Sequence, residues 1–388
     1  MGEGTLRMMQ RAMYLYAWDL QEEGVAEVAA RLRGAGLNTV SLATSYHAGK
    51  FLRPHAPHRK VYFPEDGTVY FRPDMSRYGR IRPRVNSQVG EFDALRELEE
   101  HAADLRRVGW TVGLHNTPLG LEHPDLTARN AYGDPLYNSL CPSQQEVRDY
   151  LVALCADLGA SYRPAEVMIE TPGWQAFRHG HHHEFELVEL SDRTETMLGT
   201  CFCDACRTSA RAAGIDAKKL AASTRQAIDR FFATGEAPAT DPGSDPDWLA
   251  LREWRAGVVT ALVQEVRAEL DRAVGLAVIP TVQTPNDLCW IEGSDLPRLA
   301  VAADRLEIPA YQRGLEAIGK DISAVRGAAG EAARLGYILR PTWPHLAGAD
   351  KLRDAVRLVA DAGAESVAFY NYGHMRLQSL DWIRDALP

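Results

Sequence analysis

No stretch of this 388-residue chain reaches the roughly 18 consecutive apolar residues of a membrane-spanning helix, so no such helix and no membrane partner are expected. Positive charge is short as well. Lys and Arg number 43 against 52 Asp and Glu, a net charge of -9, and no basic face large enough to neutralise many phosphates is visible, which argues against a nucleic-acid partner. Cysteine is sparse, six in all. Three of the six fall within one CxCxxC, which suits reduced thiolates on a metal rather than a disulfide framework. No glycine-rich phosphate loop follows the first apolar run, which argues against a dinucleotide-binding open sheet. The first twenty residues hold no apolar segment long enough for a secretory signal, and the expectation is a cytoplasmic protein. What the chain does have is 46% hydrophobic and 24% charged residues, enough for a large core without covalent staples.

That material is arranged in short apolar runs alternating with helical periodicity. Strands are expected over Met13 to Ala17, Leu37 to Ala43, Trp110 to Leu114, Glu166 to Ile169, Leu276 to Pro280, Arg305 to Ile308, Gly336 to Leu339 and Ser366 to Tyr370. Helices are expected over Glu22 to Leu32, Phe92 to Val108, Ser143 to Leu158, Trp248 to Val274, Leu296 to Ala303 and Lys351 to Ala362. Ser143 with Glu146 three residues on reads as a capping box. Eight buried strands alternating with helices form the pattern of a single-domain (β/α)8 barrel over residues 1–388, interrupted by long insertions at 48–90 after strand two and 175–246 after strand four. The first insertion carries two aromatic runs, Val61 to Phe63 and Val69 to Phe71, flanking Asp66-Gly67, the pattern of a small hairpin; a loop this long is expected to cover part of a pocket.

In such a barrel the site lies at the carboxyl ends of the strands. The residues there are Trp18, Asp19, Tyr46, His47, His115, Asn116, Glu170, Trp174, Gln283, Tyr311, Arg340, Trp343, Tyr370 and Asn371. Aromatic plates with amides, imidazoles and a few acids suit a small carbohydrate or glycoside, which needs flat apolar faces and paired hydrogen bonds. Homo-oligomerisation is left open. Glu170 is the leading general acid, since a carboxyl between Ile169 and Trp174 is partly desolvated and its pKa raised. Asp19 and Glu307 are the candidates for a second carboxylate, each equally suited to an ion pair.

Cys201, Cys203 and Cys206 place three thiolates within six positions, a spacing that wraps one tetrahedral ion, although three unligated buried thiols would give the same pattern. Cys141 lies on the same rim as a fourth ligand. With these residues the sequence resembles the zinc-binding β-galactosidases of glycoside hydrolase family forty-two, whose barrels carry a CxCxxC after strand four and a lone cysteine before the preceding helix. The resemblance runs from strand one to the end of the second insertion. It implies a structural Zn2+ held by Cys141, Cys201, Cys203 and Cys206, with no open position for water. It departs at the chemistry. The family's acid follows an Asn where this chain has Ile169, and its strand-seven nucleophile is replaced by Arg340-Pro341-Thr342-Trp343. The run Arg178 to Glu184 brings further histidines, His182 among them, over the barrel mouth. These are expected to contact substrate or to form a solvated surface run, with ligation of a second metal beside His47 or His115 as the alternative. Two other classes therefore stand beside a glycosidase: a metal-dependent sugar isomerase, epimerase or lyase, and a carbohydrate-binding barrel without chemistry.

Overall fold

The computed structural model describes residues 9–179 and 187–387. Eight strands, β1 (Gln10–Leu15), β2 (Thr39–Tyr46), β3 (Arg106–Val112), β4 (Glu166–Glu170), β5 (Gly275–Ile279), β6 (Arg305–Pro309), β7 (Leu335–Leu339) and β8 (Ser366–Phe369), are short and almost wholly buried. Each pairs in parallel with its sequence neighbour, and β1 pairs with both β2 and β8, which closes the sheet into a barrel and leaves it without an edge. The helices that return the chain are α1 (Val25–Gly34), α2 (Ala94–His101), α3 (Gln145–Tyr162), α4 (Pro246–Glu269), α5 (Leu296–Ala302), α6 (Leu315–Ala329), α7 (Ala349–Asp361) and α8 (Gln378–Ala386). The chain is thus a (β/α)8 barrel. Among the described residues no helix is long and apolar enough to cross a membrane.

Several local expectations are corrected. α2 ends at His101 rather than Val108, because Arg106 and Arg107 already pair with Thr39 and Val40 of β2. The capping box does not form: Glu146 is drawn to Arg80 at 2.6 Å, Ser143 Oγ lies 3.4 Å from the Cys206 thiol, and α3 begins at Gln145 without a side-chain cap. α6 and α8 were not expected; the apolar stripe of α6, Ile318, Ile322 and Val325, is diluted by glycine and alanine. By contrast α4 starts on a clear signal, with Asp245 accepting from the Asp247 and Trp248 amides and Pro246 in the first turn.

The hairpin expected around Asp66-Gly67 is replaced by two separate pairings. Val61–Tyr62 lies antiparallel to Phe51–Leu52, while Thr68–Val69 extends the end of β2. Burial decides this: Thr68 to Phe71 are buried against the barrel whereas Val61 is exposed. The crossing needs Gly67, whose φ is 62° and where a Cβ would stand 2.3 Å from Asn116 Oδ1. Asn116 donates to the Gly67 carbonyl at 2.9 Å, and this ties the first insertion to the end of β3. Among the described residues the insertion after β4 builds the helices Asp192–Gly199, Asp204–Ala212 and Ala217–Thr234, which pack with the start of α4 round an apolar cluster of Met197, Phe202, Leu220, Ile228, Trp248 and Leu251.

Candidate active site

The carboxyl ends of the strands enclose a cavity of about 560 Å³, in the range of small-molecule sites. Glu170, the last residue of β4, faces it, and it is the one carboxylate among the described lining residues. Burial raises its pKa to about 7, against which a 2.6 Å hydrogen bond from Trp110 Nε1 and the Arg340 guanidinium pull downward. Tyr46, Tyr311 and Tyr370 supply apolar walls. Arg340 lies 3.5 Å above the Tyr311 ring centre and 5.2 Å from that of Tyr370. Tyr370 in turn shares hydrogen bonds with Tyr16 at 3.1 Å and Tyr46 at 3.3 Å. Burial holds these phenols above their ordinary range, so they remain O–H donors.

Three histidines complete one side. His47 follows β2, His115 follows β3 and His179 follows β4, so closure of the barrel brings three consecutive strand ends together. The His47 and His115 rings stack at 4.2 Å, His115 and His179 stand 5.2 Å apart, and His47 and His179 6.2 Å. Burial lowers the pKa of His47, and that of His179 to about 4, so both are neutral near pH 7. His182, with His181 and His183, lies outside the described residues.

Of the residues expected at the mouth, Tyr46, His47, Glu170, Tyr311, Arg340 and Tyr370 line the cavity, and His115 adjoins it through the histidine stack. The others lie elsewhere. Trp18 and Asp19 belong not to a strand-end loop but to a short helix, Ala17–Glu23. Trp18 is stacked on Tyr16 in the core, and Asp19, fully buried, accepts from the Tyr16 amide and pairs with Arg53 at 3.2 Å. Asp19 is raised to about 6 by burial, opposed by Arg53. Glu307 is the third residue of β6 and points into the opposite end of the barrel, where it is held by Arg305 and accepts from Ser366 Oγ at 2.9 Å. Asn116 and Asn371 cap the turns that follow their strands. Trp174 is buried against Arg255, and Trp343, 84% exposed, stands clear of the lining. Gln283 faces an adjoining cavity of about 610 Å³ that shares His179 and Thr284 with the first. It donates at 3.0 Å to Glu292, which the sequence reading overlooked. Glu292 is fully buried, and burial raises its pKa to about 7. Trp110 was overlooked as well, because it reads as the start of a strand, whereas His179 belongs to the run expected over the mouth and is the member of it that the structure places in the cavity.

The cysteines converge as their spacing requires. Cys141, just past the end of a strand at Pro135–Leu140, meets Cys201, Cys203 and Cys206 at the head of the helix Asp204–Ala212, all buried. Cys141 Sγ lies 3.6 Å from that of Cys203, 3.5 Å from Cys206 and 3.9 Å from Cys201, and Cys201 to Cys206 is 3.6 Å. A tetrahedron of sulfurs round one Zn2+ at about 2.3 Å has edges of about 3.8 Å, so the four residues fit a metal ion. The Arg129 amide donates to Cys201 Sγ at 3.3 Å, an outer contact that favours thiolate. From this clip the frame runs through Arg255, which stacks on Trp174 at 4.5 Å and donates to the Ile291 carbonyl at 2.9 Å, while the Trp174 amide donates to the carbonyl of Glu292 at 3.1 Å.

No protein-family model matches the chain, and no curated protein does. Among solved structures it is similar to the glycoside hydrolase domain of PgaB (BpsB) from Bordetella bronchiseptica, with 12% identity, 98% of this chain and 99% of that one covered, and a TM-score of 0.63. It is also similar to alpha-L-fucosidase isoenzyme 2 from Paenibacillus thiaminolyticus, with 13% identity, 98% of this chain and 49% of that one, and a TM-score of 0.59, so the chain spans about half the length of the fucosidase. Neither carries the name of family forty-two, and the likeness to that family rests on the four cysteines. At these identities what is shared is the fold, a (β/α)8 barrel.

Proposed function

We propose that this protein is a carbohydrate-active hydrolase that cleaves a small glycoside in the 560 Å³ cavity, with Glu170 as general acid. The observation that carries the reading is the position of Glu170, the one carboxylate among the described lining residues, at the floor of an aromatic cavity where burial raises its pKa to about 7. A carboxyl so poised is protonated in a large fraction of molecules near neutral pH and gives its proton to a departing glycosidic oxygen. Trp110 fixes the carboxyl through one oxygen, leaving the other for the substrate. Tyr311, Tyr370 and Arg340 offer flat faces and donors to a polyhydroxylated ring. The described lining has no second carboxylate, so activation of the attacking water falls to the histidine side. The two named structural neighbours, a glycoside hydrolase domain and a fucosidase, are consistent with this reading. Zn2+ in the four-cysteine clip, on the same proposal, braces the rim without entering the reaction, because four thiolates leave it no open position.

A panel of aryl glycosides compared between the native protein and Glu170→Gln tests this. Loss of a general acid lowers turnover by roughly 10²-fold or more on substrates with poor leaving groups and far less on those that leave unaided. Equal losses on both, or none, would remove Glu170 from the role. A metal-dependent sugar isomerase, epimerase or lyase is the second reading, favoured by the three histidines; it expects sugar conversion, abolished by chelator, with no hydrolysis of the aryl glycosides.

A further inference from the structure

Three imidazoles from three successive strand ends, with ring centres 4.2, 5.2 and 6.2 Å apart, are a set whose ring nitrogens lie within 4.8 Å of one another. We infer that His47, His115 and His179 form a second metal centre, a tri-histidine site for a divalent transition cation, opening into the cavity that holds Glu170. The ring of His47 is held by its surroundings, and so are the backbones of His115 and His179. His47 Nδ1 lies 2.7 Å from the Ala48 carbonyl, and donation to that oxygen leaves Nε2 with its lone pair outward, the outer contact that orients a metal-bound imidazole. His115 is buried and bridges to Ser139, next to Asn116, which caps the following helix. His179 donates its amide to the Ala176 carbonyl at 2.9 Å, and its own carbonyl accepts from Asn138 Nδ2 at 3.0 Å.

The donor set decides which ion is taken. Three imidazoles without a carboxylate suit Zn2+, Co2+ or Ni2+ and not Mg2+ or Ca2+, which require oxygen ligands. It also decides the kind of site. Four thiolates saturate a tetrahedral ion, whereas three nitrogens leave a position open for water or a substrate hydroxyl. His47 and His179 both line the cavity, so that position faces the same space as Glu170. The assignment rests on the ring positions alone and does not depend on Glu170 acting as an acid.

Zinc counting on the full-length protein separates the two centres. After saturation with Zn2+ and removal of free ion, the native protein should hold about two ions per chain, one bound by sulfur and one by nitrogen in X-ray absorption. The double variant His47→Gln/His179→Gln should hold about one, bound by sulfur, with a melting curve close to that of the native protein, since both positions are partly open to solvent. Loading with Co2+ should give, in the native protein alone, an additional visible band without sulfur charge transfer. A native protein that holds only the sulfur-bound ion at saturating Zn2+ overturns the site whatever the variants do, and so does a folded double variant that keeps the nitrogen-bound ion.

Discussion

Two glutamates four residues apart on β4 live in opposite worlds. Glu166, at the start of the strand, meets Arg305 at 2.8 Å and Arg106 at 3.3 Å; burial pushes its pKa up, but the two guanidinium groups outweigh burial and leave it lowered. Glu170, at the end, has a single indole hydrogen bond and Arg340 against the same burial, and its pKa rises to about 7. Residue type and strand are shared, so the difference lies in what the two ends of the barrel supply. At the amino end Arg305 also holds Glu307 and donates to Ser366 Oγ at 2.5 Å, a network of paired charges that stabilises the barrel. At the carboxyl end the acid is left under-compensated, as an acid must be if it is to release and recover a proton near neutral pH.

The largest way to break this contrast is at the amino end. Arg305→Met leaves Glu166 and Glu307 buried beside one another with Arg106 as the nearest remaining cation, and should cost about 3–5 kcal/mol in denaturant unfolding, while the molecules that fold keep the same pH profile of activity. Glu170→Gln reverses the pattern: roughly 10²-fold of turnover, about 3 kcal/mol of transition-state stabilisation, should go without loss of the fold.

That the two ends differ was only half visible in the chain itself. The eight strands were, because each is a short apolar run between turn residues, and so was the cysteine clip, three of whose four members fall within six positions. Which end of a strand an acid occupies was not. Moving a strand boundary by one or two residues changes the end, and Glu307, a candidate for the second carboxylate, proved to sit in the opposite half of the barrel. Asp19 was displaced for the same reason, since β1 stops at Leu15 and a helix begins. Trp110 needed barrel closure to be recognised, because its neighbours in the site come from other strands, and closure is also what singles His179 out of its run. Glu292 lies in a short helical turn, Asn286–Glu292, with no periodic signal to mark it.

The clip sharpens the contrast from outside. Cys203→Ser should lose the sulfur-bound zinc and lower the Tm by several degrees while the pH profile of the remaining activity stays in place, because the cysteines brace the rim and do not touch Glu170. Smaller still is the effect of pH on stability. The folded pKa of Glu170 lies above the ordinary value of 4.5, so its contribution is greatest below about pH 4.5 and is lost as pH rises toward 7. Glu170→Gln should therefore melt higher than the native protein at pH 8, by about 1–3 kcal/mol, and alike at pH 4.5. The smallest change belongs to Trp110→Phe. Without the indole donor the carboxylate loses its one hydrogen bond, and the alkaline limb of activity should move upward by roughly one pH unit or less, with kcat at its optimum little altered.

The protonation of Glu170 itself is the central quantity, and difference infrared spectroscopy of the native protein against Glu170→Gln reads it directly through the carboxylic C=O stretch. The band should be present at pH 5 and fade with a midpoint near pH 7. A midpoint near the ordinary 4.5 would make Glu170 a carboxylate like Glu166 under working conditions, and would contradict the division of labour between the two ends of β4.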